Sequence, residues 1–402
     1  MGKYGRMKSY RKIKLFLLCA VLIGANCMSC ESINPTRDET APYRISLWNE
    51  VPQLSRESGP PGFVRPPEGP RVGASPGAPL LGQGAATGQA ERAHTKNSVT
   101  ERPLADYSRA LLARVEQTYR DSGRNGGTGG SGDSGEQPLV YRLGWVPFRE
   151  APRRSADLQL FVQVIKRKEE KPRGTVFLFH GYANDSSYMT GVAGALLQRN
   201  WAVVLVDLPG HGLSTGKRGD VERFHDYGDT VQVILDQVRL IFAEEVPVPY
   251  MAFGHSTGAL ALVDYSIRYE NQFSRMVFYA PLVRSVWWNT SRMGLWLLEP
   301  FVKQTRAFAK SPLGLRIFPV HWFDELVRWE AWARKQKPIP MPPLRIIQPV
   351  QDSVVQSTYN ARFIQERAPE TELLRIDSLS HFATDASIPD SRLLDAIVSY
   401  FE

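Results

Sequence analysis

One serine in this chain is set as a nucleophile would be. Ser256 stands in Gly254-His-Ser-Thr-Gly258, after the apolar run that starts at Val248 and before Ala259-Leu-Ala-Leu-Val263. The first run has strand length, and the second reads as the start of a buried helix. A strand that turns sharply into a helix, with glycines two residues either side of a serine, is a nucleophile elbow. The glycines let strand and helix approach, and the helix N-terminus puts partial positive charge beside a forming oxyanion. A serine hydroxyl is a poor nucleophile at neutral pH, so it needs a base, and the base needs an orienting acid. Downstream of Ser256 only His321 and His381 remain. His381 follows the last predicted strand, whereas His321 lies in an aromatic-rich stretch with no strand before it, so His381 is the expected base. Asp352, at the end of the run Leu344-Arg-Ile-Ile-Gln-Pro-Val-Gln351, is the expected acid. Asp377 and Asp385 flank the base and would have to fold back sharply to reach it.

Those residues need a frame to hold them. Candidate strands lie at Leu139–Val146, Asp157–Lys166, Thr175–Phe179, Ala202–Val206, Val248–Phe253, Met276–Ala280, Leu344–Gln348 and Glu372–Ile376. Helical patterns separate most of the later ones. Thr230–Phe242 is the clearest, with Val231, Ile234, Leu235, Val238, Ile241 and Phe242 at helical spacing. Alternation of this kind predicts an α/β domain over 137–402, with a mainly parallel sheet covered on both faces. The active crevice of such a sheet lies at the C-terminal strand ends. His180-Gly-Tyr182 follows one of them, so the amides of Tyr182 and Thr257 are the expected oxyanion hole. The rings of His180 and His211 are read as loop-packing groups. Gly210-x-Gly212 lacks the third glycine that a phosphate-binding loop needs.

Upstream of the domain the composition changes. The formal charge is +8. Lys3, Arg6, Lys8, Arg11, Lys12 and Lys14 supply most of it, and residues 1–30 contain no acid. The remaining charges nearly balance, which argues against a nucleic-acid partner. The apolar run Leu15–Ala25 is too short to span a bilayer and fits a secretory signal. Cys27-Met-Ser-Cys30 resembles a bacterial lipoprotein signal. It would make Cys30, or else Cys27, the lipid-carrying first residue of an exported, membrane-anchored chain on the periplasmic or outer-surface side. A plain signal peptide and an uncleaved anchor are the other readings. Residues 31–136 are dense in Pro and Gly and read as a flexible tether. One helical face in it is formed by Leu104, Tyr107, Leu111, Val115 and Tyr119.

With elbow, acid and base in this order, the segment from about Gly174 to the C-terminus resembles the α/β-hydrolases. It is most similar to the branch holding monoacylglycerol lipases and lysophospholipases. The matching pieces are Phe179-His-Gly181, Asp207-Leu-Pro-Gly-His-Gly-Leu-Ser214, Gly254-His-Ser-Thr-Gly258, Gln351-Asp-Ser-Val-Val355 and Leu379-Ser-His381. Thr257 departs from the family, where Met or Gln is commoner. The resemblance implies an eight-stranded sheet with a helical lid at about 284–342. That stretch holds Trp287, Trp288, Trp296, Trp322, Trp329 and Trp332, with Trp287 and Trp288 as the expected lipid-facing pair. It also implies an esterase or lipase that uses Ser256, Asp352 and His381 without metal or cofactor, on a lipid ester such as a monoacylglycerol or lysophospholipid. An aminopeptidase or acyltransferase on the same scaffold, or a surface binding protein without activity, are the competing readings.

Overall fold

The computed structural model describes residues 113–117, 139–148, 158–298, 302–306, 315, 317–338, 341–385 and 390–402. The leader with Cys30, and all of the tether but 113–117, lie outside these residues. Residues 113–117 are helical, and Val115 is buried in the core of the domain.

The first two strands, β1 (Leu139–Phe148) and β2 (Leu158–Arg167), form an antiparallel pair at one edge of the sheet. Next in the chain come β3 (Thr175–Phe179), helix α1 (Thr190–Gln198), β4 (Ala202–Val206), α2 (Asp226–Ile241), β5 (Tyr250–His255), α3 (Thr257–Arg268) and β6 (Arg275–Tyr279). The segment expected as a lid carries α4 (Trp288–Leu298), the short antiparallel strands β7 (Gln304–Arg306) and β8 (Ile317–Pro319), and α5 (Val320–Ala333). The chain closes with β9 (Leu344–Pro349), α6 (Ser357–Gln365), β10 (Glu372–Ile376) and α7 (Ser391–Phe401). The sheet order is β1-β2-β4-β3-β5-β6-β9-β10, and every pairing from β4 to β10 is parallel.

Burial on both faces explains why the central strands read as unbroken apolar runs. Along β3, Phe177 and Phe179 enter one apolar cluster, and Val176 and Leu178 enter the other. On β4, Val204 and Val206 alternate with Val203 and Leu205 in the same way. The first cluster takes in α2 and α3, and the second takes in α1 and α7. Successive strand side chains therefore serve opposite layers of helix.

Two boundaries differ from expectation for visible reasons. Strand β5 starts at Tyr250 rather than Val248. Pro249 has no amide to give the ladder, although its carbonyl accepts Thr175 N–H at 3.0 Å, and Val248 is exposed. Helix α2 starts at Asp226, four residues before its apolar periodicity, with Asp226 and Asp229 in the first turn where anions are favoured.

A buried carboxylate ties three helices together. Asp264 on α3 accepts Trp329 Nε1–H from α5 at 2.8 Å and His225 Nδ1–H at 2.8 Å, and it pairs with Arg268 at 3.1 Å. Trp322 Nε1–H reaches Tyr227 Oη on α2 at 2.8 Å. Helix α5 is thus joined to the body by two indole donors as well as by apolar contact.

Candidate active site

The turn at Ser256 is built as the glycine spacing predicts. Ser256 takes φ 51° and ψ −108°, a strained conformation for a residue with a side chain. A Cβ on Gly258 would lie 2.1 Å from the carbonyl oxygen of Phe179, and one on Gly254 would lie 2.6 Å from Ala259 Cα. Strand β3, the elbow and α3 therefore meet backbone to backbone. The strain is held by Ser256 N–H donating to Tyr279 O at 3.0 Å and by Ser256 O accepting Leu260 N–H at 3.1 Å.

Asp352 and His381 come to the same sheet edge. His381 Nε2 lies 3.2 Å from Ser256 Oγ, and its Nδ1 lies 2.9 Å from Asp352 Oδ2. Asp352 Oδ1 accepts Val354 N–H at 2.8 Å and Val355 N–H at 2.9 Å. Burial pushes the Asp352 carboxyl up, but the hydrogen bonds from His381, Val355 and Val354 outweigh it and hold it below the usual carboxylate range. The group therefore stays ionised and accepts from His381 Nδ1, and His381 Nε2 is turned toward the hydroxyl of Ser256. All three side chains are buried.

The chain has a match among known proteins. A family profile described as serine aminopeptidase, S33, matches residues 170–383, more than half of the chain. The chain belongs to that family. Its relatives include a monoacylglycerol lipase of Mycolicibacterium smegmatis, 32% identical over 114 residues, which are 28% of this chain and 40% of that one. A human monoglyceride lipase is 27% identical over 139 residues, 34% of this chain and 45% of that one. The chain spans less than half the length of these two curated relatives. A soluble variant of monoglyceride lipase from Saccharomyces cerevisiae, solved in complex with a substrate analog, superposes with a TM-score of 0.52 at 14% identity. The superposition covers 64% of this chain and 94% of that one, and it shows a shared α/β-hydrolase fold.

In this S33 member, Tyr182 follows Gly181 at the end of β3, beside the elbow. A Cβ on Gly181 would lie 3.4 Å from Ser256 Cβ. The Tyr182 hydroxyl donates to Gly219 O at 2.7 Å, and its ring packs on Trp322, with centroids 4.1 Å apart. Thr257 opens α3, where an amide has no acceptor within the helix.

The histidines read as packing groups do pack. His180 Nδ1–H donates to Gly181 O at 2.8 Å, and Nε2 accepts Leu208 N–H at 2.9 Å. Burial pushes this ring down to about 4, so it is neutral. His211 is fully buried, with Nδ1 2.8 Å from Pro209 O. His321 pairs with Asp220 at 2.9 Å rather than with Ser256 or Asp352.

The two adjacent tryptophans do not form a lipid-facing pair. Trp287 is 64% exposed, but Trp288 is 1% exposed and packs edge-on to Phe323. Trp287 takes a positive φ of 58°, which turns the chain so that the next ring points into the core. Trp322 and Trp329 are buried as well.

Two residues at the site were not singled out in the sequence. Gln348 Nε2 lies 3.2 Å from Asp352 Oδ2 and 3.0 Å from Ser357 Oγ. His255 Nε2 lies 2.9 Å from the carbonyl oxygen of His381. The only signal for either was position: Gln348 is four residues before the acid, and His255 sits inside the glycine–serine motif.

Proposed function

We propose that the chain is a serine hydrolase of carboxylic esters. The hydrogen-bonded line Ser256–His381–Asp352 carries this reading. Ser256 Oγ attacks the carbonyl carbon as its proton passes to His381 Nε2. The imidazolium so formed is stabilised by Asp352, and the tetrahedral oxyanion is held by the amides of Tyr182 and Thr257. Collapse of the tetrahedral species returns the proton to the leaving alcohol and leaves an acyl-serine. Water, activated by the same imidazole, then releases the acid.

The substrate class follows from the company the chain keeps. Similarity to proteins named monoacylglycerol lipase and monoglyceride lipase supports a lipid with one acyl chain, such as a monoacylglycerol or lysophospholipid. The segment at 284–342 would then cover the acyl chain as a lid, with Trp287 at its wet rim. The family description favours peptide bonds as the second reading. Residues 1–30 would export the chain, with Cys30 carrying the anchor and 31–136 spacing the enzyme from the membrane. Mass spectrometry of the mature N-terminus checks that part.

A fluorophosphonate probe is expected to label the wild type and to leave Ser256→Ala unlabelled. Equal labelling of both would overturn the nucleophile. A panel of p-nitrophenyl esters of rising chain length, set beside aminoacyl anilides, separates lipase from peptidase. Turnover of the anilides alone would overturn the ester reading.

A further inference from the structure

His255 is an imidazole beside the site that catalysis by Ser256, His381 and Asp352 leaves unused. It is 1% exposed and stands between Gly254 and Ser256. It is the last residue of β5, and the turn at Ser256 begins directly after it. It meets the loop that carries the base. Nε2 lies 2.9 Å from His381 O, and Nδ1 lies 3.2 Å from Thr384 Oγ1. Its ring centroid is 5.1 Å from that of His381 and 5.6 Å from that of Tyr279. It also backs the loop ahead of Tyr182, since a Cβ on Gly181 would lie 3.0 Å from Nδ1.

The chemistry of these contacts fixes the tautomer. A carbonyl oxygen only accepts, so Nε2 must carry the proton. Burial is the main cause that pushes the ring down to about 3, with His381 adding to it, so there is one proton and no more. Nδ1 is therefore bare and accepts the Thr384 hydroxyl proton. Both ends of the ring are satisfied by one loop, at residues three apart. Tyr279 assists from β6, where its hydroxyl donates to the carbonyl of Ser380. Two successive carbonyls of the base loop, at 380 and 381, are thus pinned by side chains at the ends of β5 and β6.

We propose that His255 is a positioning residue: by donating Nε2–H to the main-chain carbonyl of His381, it sets the reach of the base imidazole to Ser256 Oγ. The inference rests on the assignment of Ser256 and His381 made above. The peptide at 381 directs the Cα–Cβ bond that aims the imidazole. Because His255 and Ser256 are consecutive, this hydrogen bond gauges the nucleophile-to-base distance directly. Misplacement by about 1 Å is enough to cost about 100-fold in rate. The neutral ring also adds no charge repulsion when His381 takes up its proton 5.1 Å away.

The test measures kcat per probe-labelled site, so that loss of folded enzyme is divided out. His255→Phe keeps a ring and removes both hydrogen bonds. Its kcat is expected to fall about 10- to 100-fold, with KM within about twofold and fluorophosphonate labelling slowed by the same factor. His255→Asn, which retains an N–H donor, is expected to recover part of the loss. Thr384→Val removes the hydroxyl that holds Nδ1 and is expected to lower kcat less, in the same direction. If His255→Phe does not fold, Thr384→Val and His255→Asn decide. Wild-type kcat per site in the folded variants would overturn the inference. Labelling of Ser256→Ala would instead strike the assignment beneath it, so the two failures are distinguishable.

Discussion

Gln348 and His381 donate to the same oxygen. Gln348 Nε2 lies 3.2 Å from Asp352 Oδ2, and His381 Nδ1 lies 2.9 Å from it. With two amides on Oδ1, the carboxylate is surrounded by donors, and its plane is fixed relative to the imidazole. Gln348→Glu puts a second carboxylate where a donor stood. Like charges this close raise one of the two pKa values, so Asp352 loses hold of its partner. A loss of about 100-fold in kcat/KM is expected, against about 10-fold for Gln348→Met, which only removes the donor. Equal kinetics for the two variants would count against this role.

Gly258 has no room for a side chain. The methyl of Gly258→Ala would sit 2.1 Å from the Phe179 carbonyl oxygen, a backbone atom that cannot swing aside. Either α3 moves away from β3 or the elbow opens. Loss of probe labelling is expected, with destabilisation of about 3 kcal/mol or more in denaturant melts. A labelled, wild-type-stable variant would show that the close approach is dispensable.

Three buried imidazoles shape the acid side of the stability curve. Burial pushes His180 to about 4 and His255 to about 3, and holds His211 well below its ordinary value. The unfolded chain takes up these protons from about pH 6.5 downward, before the native state does. The stability they carry is therefore full above about pH 6.5 and is lost as pH falls toward those lower values. Asp207 works in the opposite sense. Burial, with Asp185 beside it, raises it to about 7, so the native carboxyl gains relative to the unfolded one on acidification. Three rings against one carboxyl leave a net loss. The melting midpoint is expected to be lower at pH 5 than at pH 7, and a higher one at pH 5 would contradict the accounting.

The adjacent tryptophans separate stability from substrate handling. Trp288→Ala removes a fully packed indole and is expected to cost about 3–5 kcal/mol. Trp287→Ala is expected to stay within about 0.5 kcal/mol of wild type. If Trp287 meets lipid, turnover of a dispersed lipid ester falls in that variant while turnover of a short soluble ester does not. Denaturant melts and the two assays together check both halves.

Much of this was readable from residue order alone. The eight strands of the sheet fall within about two residues of their expected bounds, and the central ones stand out because a strand buried on both faces must be apolar along its length. Ser256, Asp352 and His381 each follow a strand, and the sheet brings those ends together. What could not be read depends on contacts that leave no pattern. His255 binds a main-chain carbonyl 126 positions away, and any residue type would offer that carbonyl. Trp287 and Trp288 are identical in type, and only the backbone course at the start of α4 tells which one faces the core. Strands β7 and β8, three residues each, are too short for alternation to show.

The Trp329–Asp264 bond restricts how far α5 can move. Asp264 rides on the helix that begins one residue after Ser256, and it is completely enclosed. Lifting α5 as a rigid flap would strip the indole donor from a buried carboxylate that keeps only Arg268 and His225, a penalty of about 1.5–3 kcal/mol. Helix α5 is therefore riveted to the body at Asp264 and Tyr227, and it resists lifting more than apolar packing alone would make it.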